Sequence, residues 1–384
     1  MVTTTTPSHK PTHQTGPARR VLIVGNYCHD VLIQNGAVKA ESLGGAASFI
    51  SNVLNGMSVP CNLVAKVGRD FKYAINHVPI QVPCSKTTVF HAYFDLGEDR
   101  NQDRVLKRVC ACDPIRPQDL PDARFDFGMA VGVGGEILPE TLEKMLDICD
   151  VVFVDIQALI RDFDGVDGTV KLVNLQETGF YPLLPRIGVL KASTEEAVYM
   201  DVEEVRKWCC VVVTNGKQGC KVCWRDGEFG VSPFLANQED PTGAGDSFLG
   251  GFVAGLVQGL TVPDAALLGN LFGSLTVEQI GLPKFNPRLL QSMKDEVQRR
   301  KMLYLNYESG DNGLLFVKPA GHEDFHASLN AAKLRYPCLI RGCQCDCQSS
   351  PTVVKQSNLP LCTGEPNLVN PVYEEQIQTV EGKP

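Results

Sequence analysis

No stretch of the chain approaches the ~18 consecutive apolar residues that a membrane-spanning helix needs, so a transmembrane helix is excluded. Excess positive charge is missing too: 36 Lys and Arg stand against 44 Asp and Glu, a formal net charge of −8. Nucleic acid and anionic membranes therefore receive no electrostatic encouragement. The N-terminus lacks the apolar core of a signal peptide, so the 15 cysteines are read as thiols in a reducing compartment, with the cytoplasm expected. Most lie in apolar, strand-like runs such as Cys209-Cys210-Val211-Val212-Val213 and suit small buried hydrophobes. Cys220 and Cys223, three apart in an extended run, face opposite ways, and Cys343, Cys345 and Cys347 have no second set at zinc-finger spacing. There is no G-x-G-x-x-G, and Lys217 is followed by Gln218 rather than Ser or Thr, so neither a dinucleotide fingerprint nor a Walker A loop is present.

What is present is globular. The 384 residues are 43% hydrophobic and 21% charged, enough to bury a substantial core. Residues 1–20, rich in Thr, Ser, Pro and His, read as a disordered tail; residues 301–384, rich in Asn, Gln, Pro, Gly and Cys, read as a partly disordered extension in which Phe325 to Arg335 can form a short helix. Between them, apolar runs alternate with helical ones. Strands are expected at Val21–Gly25, Cys61–Gly68, Phe125–Val133, Val151–Ile156, Ile187–Leu190 and Val211–Thr214. Helices are expected from Gly44 to about Gly56 and over Pro139–Ile148, Pro263–Ile280 and Pro287–Arg300. Pieces at Ile80–Val82, Thr88–Phe94 and Arg104–Cys110, the last two flanking the turn-rich Gly97–Asn101, read as a β-hairpin. Such alternation implies a parallel sheet with helices on both faces.

The most informative stretch is Glu239 to Leu260, EDPTGAGDSFLGGFVAGLVQGL, a glycine-bearing turn running into an amphipathic helix. The first backbone N–H groups of a helix lack partners and sit at its positive dipole end, so this junction can hold an anion. Gly243 and Gly245 let backbone approach closely, and Asp246 puts a carboxylate at the same place. Donors for a transferring phosphoryl group beside a base for a hydroxyl proton are what phosphoryl transfer to an alcohol requires. An ordinary helix start with an acid in its first turn would read the same way locally.

Asp240-Pro241-Thr242-Gly243-Ala244-Gly245-Asp246 resembles the C-terminal signature of the ribokinase (pfkB) family of carbohydrate kinases. The resemblance covers about residues 21–300. It implies a ribokinase-like α/β/α sandwich with a small β lid, carried within about 79–112, and ATP and Mg2+ as cofactors. It also implies that Asp246 is the catalytic base and that Thr242, Gly243, Ala244 and Gly245 meet the nucleotide. Gly44 and Gly45 resemble the N-terminal signature that approaches the substrate, and Asn26 and Asp30, after the first strand, match the sugar pocket. Val67-Gly68-Arg69-Asp70 resembles the family's V-G-x-D turn. Thr214, Gly216 and Gly219 match a T-x-G-x-x-G turn beside the nucleotide, and Asn270 matches a position on the adenine side, where packing inside a helix is the plainer reading. Glu196 matches the Glu of an N-x-x-E motif that orients magnesium through water. Ser193 replaces its Asn and is kept as a nucleotide contact, although Ser193 and Glu196 also read as a helix cap. Phe49 stands where the family commonly has Asn. The expected activity is ATP-dependent phosphorylation of a polyol or sugar hydroxyl, with a nucleoside or another sugar as alternative substrate. A catalytically silent binding protein is the other class, and retention of Asp246, Gly243 to Gly245 and Glu196 weighs against it.

Overall fold

The structure, a computed structural model, describes residues 19–94, 105–303 and 314–337, all within one compact unit. The expected turn at Gly97–Asn101, nearly all of the N-terminal tail and Cys343, Cys345 and Cys347 lie outside the described residues.

The chain opens with β1 (Val21–Val24), a hairpin of β2 (Cys28–Gln34) and β3 (Ala37–Gly44), α1 (Ala46–Gly56) and β4 (Cys61–Val64). β5 (Lys66–Val67) pairs with β6 (Ile80–Gln81), and β7 (Thr88–Phe94) with β8 (Val105–Cys110). Then come β9 (Phe125–Ala130), α2 (Pro139–Ile148), β10 (Cys149–Asp155), α3 (Gln157–Ile160) and a small hairpin of β11 (Arg161–Phe163) and β12 (Val170–Leu172). β13 (Val189–Ser193), α4 (Thr194–Ala197), α5 (Val202–Val205), β14 (Cys210–Thr214), β15 (Cys220–Trp224) and β16 (Gly227–Val231) follow. α6 (Ala244–Val257), α7 (Val262–Thr276), α8 (Pro287–Met302) and α9 (His322–Arg335) end the described chain.

The main sheet has the order β16-β15-β14-β13-β10-β9-β1-β4, parallel except for the β15 and β16 edge. Its strands read as unbroken apolar runs because both faces are covered. Val21, Ile23, Met129 and Phe153 meet the layer of α1, α6 and α7, whereas Leu22, Val24, Val152 and Val154 meet the layer of α2 and α3. This is the ribokinase-like α/β/α sandwich. The same alternation sends Cys220 and Cys223 into opposite layers. β13 starts two residues later than the expected strand at Ile187–Leu190, so Lys191 and Ser193 belong to it.

α6 packs on α1 and α7 at short range because its small residues leave room. A Cβ on Gly251 would stand 2.8 Å from the Leu268 carbonyl oxygen, and one on Gly255 would stand 3.0 Å from Ala265 Cα. The central helix is thereby fixed in depth, and with it the loop at its N-terminus.

The lid is a separate sheet of order β3-β2-β7-β8. Half of it comes from residues 28–44, outside the expected 79–112, while β6 belongs to a different pair. Asp30 therefore sits in a strand and not in a loop. The turn joining β2 and β3 holds Asn35 at φ 49° and Gly36 at φ 76°, the Asn-Gly signature of a tight hairpin.

The described residues beyond 300 pack on the body rather than standing apart. Leu314, Phe325 and Leu329 join the apolar cluster of α6 and α7. Buried Asp264 accepts from Arg300 Nε at 2.6 Å and bonds His322 Nδ1 at 2.5 Å, linking α7, α8 and α9.

Candidate active site

The loop entering α6 is ordered by its own acid. Asp240 Oδ1 accepts from the Thr242 backbone N–H at 2.9 Å and from its hydroxyl at 2.5 Å. Gly243, the residue capping α6, has φ 75°, a left-handed conformation unfavourable to other residues. A Cβ there would also lie 2.2 Å from the ring of Phe49, and one on Gly245 would lie 2.7 Å from Lys191 Nζ. The two glycines thus let an aromatic floor and an ammonium reach the backbone of an anion loop.

Two cavities meet at this loop. One, of about 290 Å³, is lined by Thr214, Gly216, Gly219, Phe234, Leu235, Ala244, Gly245, Asn270 and Val277. Its walls are largely apolar, Phe234, Leu235 and Val277 among them. The other, of about 390 Å³, is lined by lid residues Asp30, Phe90 and Leu106 and by body residues Gly45, Phe49, Gln157, Arg161, Lys191, Ser193, Glu196, Thr242, Gly243 and Asp246. Thr214 and Gly245 line both cavities.

The residues expected to act together are therefore mostly assembled, with some reassignments. Thr214, Gly216, Gly219, Ala244, Gly245 and Asn270 surround the first cavity. Asn270 also packs, as its helix position suggests: its Nδ2 donates to the carbonyls of Val231 and Ser232. Ser193, Thr242 and Gly243, expected on the nucleotide, face the second cavity. Ser193 Oγ accepts from the Glu196 N–H at 3.2 Å while Glu196 Oε2 accepts from the Ser193 N–H at 2.8 Å, so the helix-cap reading of this pair also holds.

Asn26 and Gly44 line neither cavity. Asn26 is 1% exposed, and its Oδ1 accepts from the Lys66 N–H at 2.7 Å, so its amide ties the segment after β1 to the start of β5. Gly44 is needed because a Cβ would stand 1.9 Å from Asp30 Oδ2; it makes room for the carboxylate that does reach the cavity. Asp70, in the V-G-x-D turn, accepts from the backbone N–H and hydroxyl of Thr87, both at 2.9 Å.

Asp246 accepts at Oδ1 from Gln157 Nε2 at 3.0 Å. Burial pushes its carboxyl above the ordinary range, against the pull of Lys191, Arg161 and Gln157. Lys191, 5% exposed, lies beside Asp155 in the parallel register and donates to its Oδ2 at 3.0 Å. Burial alone would lower the lysine's pKa; Asp155, Glu196 and Asp246 outweigh it and hold it up as an ammonium. Asp155, fully buried near two other carboxylates, is pushed up to about 6 by desolvation. Burial would also raise Glu196, but Lys191, Arg161 and the hydrogen bonds from Ser193 together outweigh it and keep that carboxyl below its usual value. Sequence reasoning assigned no role to Lys191, Gln157 or Arg161. A lysine inside an apolar strand was the available signal.

Among the described residues no group of three or more His, Cys, Asp and Glu is placed to hold a metal ion, and no helix is long and apolar enough to cross a membrane. The donor set at the loop, one carboxylate at Glu196 beside an anion cradle, fits magnesium carried on phosphate oxygens with its own waters.

The family model that matches residues 188–288 is the pfkB family carbohydrate kinase. Inositol 3-kinase of Arabidopsis thaliana is 64% identical over 351 residues, 89% of this chain and 97% of that protein. Inositol 3-kinase of Oryza sativa subsp. japonica is 50% identical over 325 residues, 82% of each. Among solved structures, a pyrophosphate-dependent kinase of the ribokinase family complexed with a pyrophosphate analog and myo-inositol superposes at a TM-score of 0.57 with 17% identity, covering 67% of this chain and 95% of that one. With these relatives, the signature loop and the sandwich in agreement, the chain belongs to the pfkB family of carbohydrate kinases.

Proposed function

We propose that this chain transfers the terminal phosphoryl group of ATP to a hydroxyl of myo-inositol. The observation that carries the reading is the anion loop with Asp246 standing where a largely apolar cavity meets a polar, lid-covered one. The apolar cavity suits a purine and ribose, with Phe234, Leu235 and Val277 as walls. The second suits an uncharged ring bearing hydroxyls: Asp30 accepts from them, Phe49, Phe90 and Leu106 cover the carbon face, and Arg161 and Gln157 offer donors.

In this reading Asp246 takes the proton of the attacking hydroxyl. Gln157 holds one of its oxygens, leaving the other for the substrate. The backbone N–H groups of Gly243, Ala244 and Gly245 and the Lys191 ammonium stabilise charge on the phosphoryl group. Glu196 would hold magnesium, which would supply neutralisation of the phosphate charge. Lid strands β2, β7 and β8 exclude water from the transfer.

The test is ATP-dependent phosphorylation by the purified full chain, with magnesium, of myo-inositol, ribose, fructose and adenosine, read by ADP release and product mass. Turnover on myo-inositol carries the reading. Turnover on ribose, fructose or adenosine alone reassigns the substrate, and ATP binding without turnover favours a regulatory protein.

A further inference from the structure

The wall of the apolar cavity contains a stretch without regular structure. After β16 ends at Val231, residues 232–239 run as irregular backbone carrying Pro233, Phe234, Leu235 and Ala236 into the lining. Backbone outside a ladder needs side-chain partners to stay in one conformation. Here the carbonyls of Val231 and Ser232 are bonded by Asn270 of α7, and the next ones by α9. His326 Nε2 lies 3.0 Å from the Pro233 carbonyl, with its ring 4.5 Å from that of Phe234. Lys333 Nζ donates to the Leu235 carbonyl at 2.6 Å and to Ser274 Oγ at 3.0 Å, and lies 3.1 Å from Glu278 Oε1. All three protons of this ammonium are engaged, and the side chain is 8% exposed.

We infer that α9, through Lys333 and His326, sets the conformation of the Pro233–Ala236 wall and so the affinity of the nucleotide cavity. The helix lies beyond the residues matched by the family pattern, 188–288. It touches neither the anion loop nor the polyol cavity by any residue that lines them. Lys333 and His326 are positioning residues: they act through the wall and leave the transferred group and the acceptor alone. The inference rests on the reading of the first cavity as the nucleotide site.

The experiment compares full-length Lys333→Met, Lys333→Arg, Glu278→Gln and Leu235→Asp by KM for MgATP, KM for myo-inositol, kcat and melting temperature. Losing a charged hydrogen bond to the wall raises KM for ATP about tenfold in Lys333→Met, with KM for myo-inositol and kcat changing less than about twofold. Lys333→Arg, which keeps donors, restores most of the affinity. Glu278→Gln weakens the ion pair that ties α9 to the segment after α7 and leaves the Lys333 donor to the Leu235 carbonyl in place, so it lowers the melting temperature and leaves KM for ATP near its original value. A purely structural helix would make KM follow melting temperature across both variants, and that outcome overturns the inference. If Leu235→Asp weakens ATP but Lys333→Met does not, the positioning role fails alone. If Leu235→Asp also leaves ATP unaffected, the cavity is not the nucleotide site and both readings fall. Should Lys333→Met not fold, His326→Ala removes the other wall bond and is read the same way.

Discussion

Gln157 Nε2 donates to Asp246 Oδ1 across 3.0 Å, joining the start of α3 to the first turn of α6 over the substrate cavity. The Asp246 carboxylate is thus oriented by an amide from a different layer of the sandwich. Asp246→Asn, which keeps the shape and removes the base, should lower kcat by roughly 10²–10⁴ while leaving both KM values within a few-fold. Gln157→Ala should give a smaller loss of kcat and no loss of ATP affinity. Equal rates for Asp246→Asn and the unaltered protein would remove Asp246 from the mechanism.

The acid side of the pH profile follows from the charges around that carboxyl. A base must be ionised, and burial raises Asp246 above its ordinary value, so the acid limb of kcat/KM should lie at higher pH than an ordinary aspartate would give. Lys191 works in the other direction by favouring the ionised form. Lys191→Met should therefore move the acid limb to higher pH as well as lowering kcat. Initial rates across the acid range, with salt held constant, check both signs.

Asp30 is the lid's carboxylate in the second cavity, the one proposed for the acceptor. Asp30→Asn exchanges charged hydrogen bonds for neutral ones and should raise KM for myo-inositol about tenfold or more. KM for ATP should hold within about twofold, since the residue lines only one cavity. Parallel rises in both constants would mean that Asp30 shapes the whole site.

Stability has its own test at the α7, α8 and α9 junction. Asp264→Ala leaves the buried guanidinium of Arg300 without the carboxylate at 2.6 Å. Breaking a buried pair on one side should cost about 3–5 kcal/mol, visible in urea or thermal unfolding. An effect below about 1 kcal/mol would show that the junction tolerates the loss of that carboxylate.

Much of this was legible in the sequence, and the exceptions have physical causes. Val21–Val24 and Val151–Val154 announced a doubly covered sheet because every position along them is apolar. The signature loop was legible because its glycines and acid are contiguous. Asn26 was misassigned: its amide is adjacent in sequence to the pocket strand yet turned into the Lys66 backbone, a direction that sequence does not encode. The β2–β3 hairpin carries its turn signal in Asn35-Gly36, yet its pairing with β7 in a separate sheet is not encoded locally. Lys191 became visible only when β13 was set beside β10 and its partner Asp155 stood in register. The floor role of Phe49 likewise required the contact with Gly243, nearly two hundred residues along the chain.

Thr214 and Gly245 border both cavities, so if these take donor and acceptor as proposed, little more than those residues separates the two reactants. Both can be held at once, with no need for a phosphorylated side chain to carry the group from one to the other. The stereochemical record follows. A chiral phosphorus should emerge with its configuration inverted once, and double-reciprocal plots against the two reactants should intersect rather than run parallel.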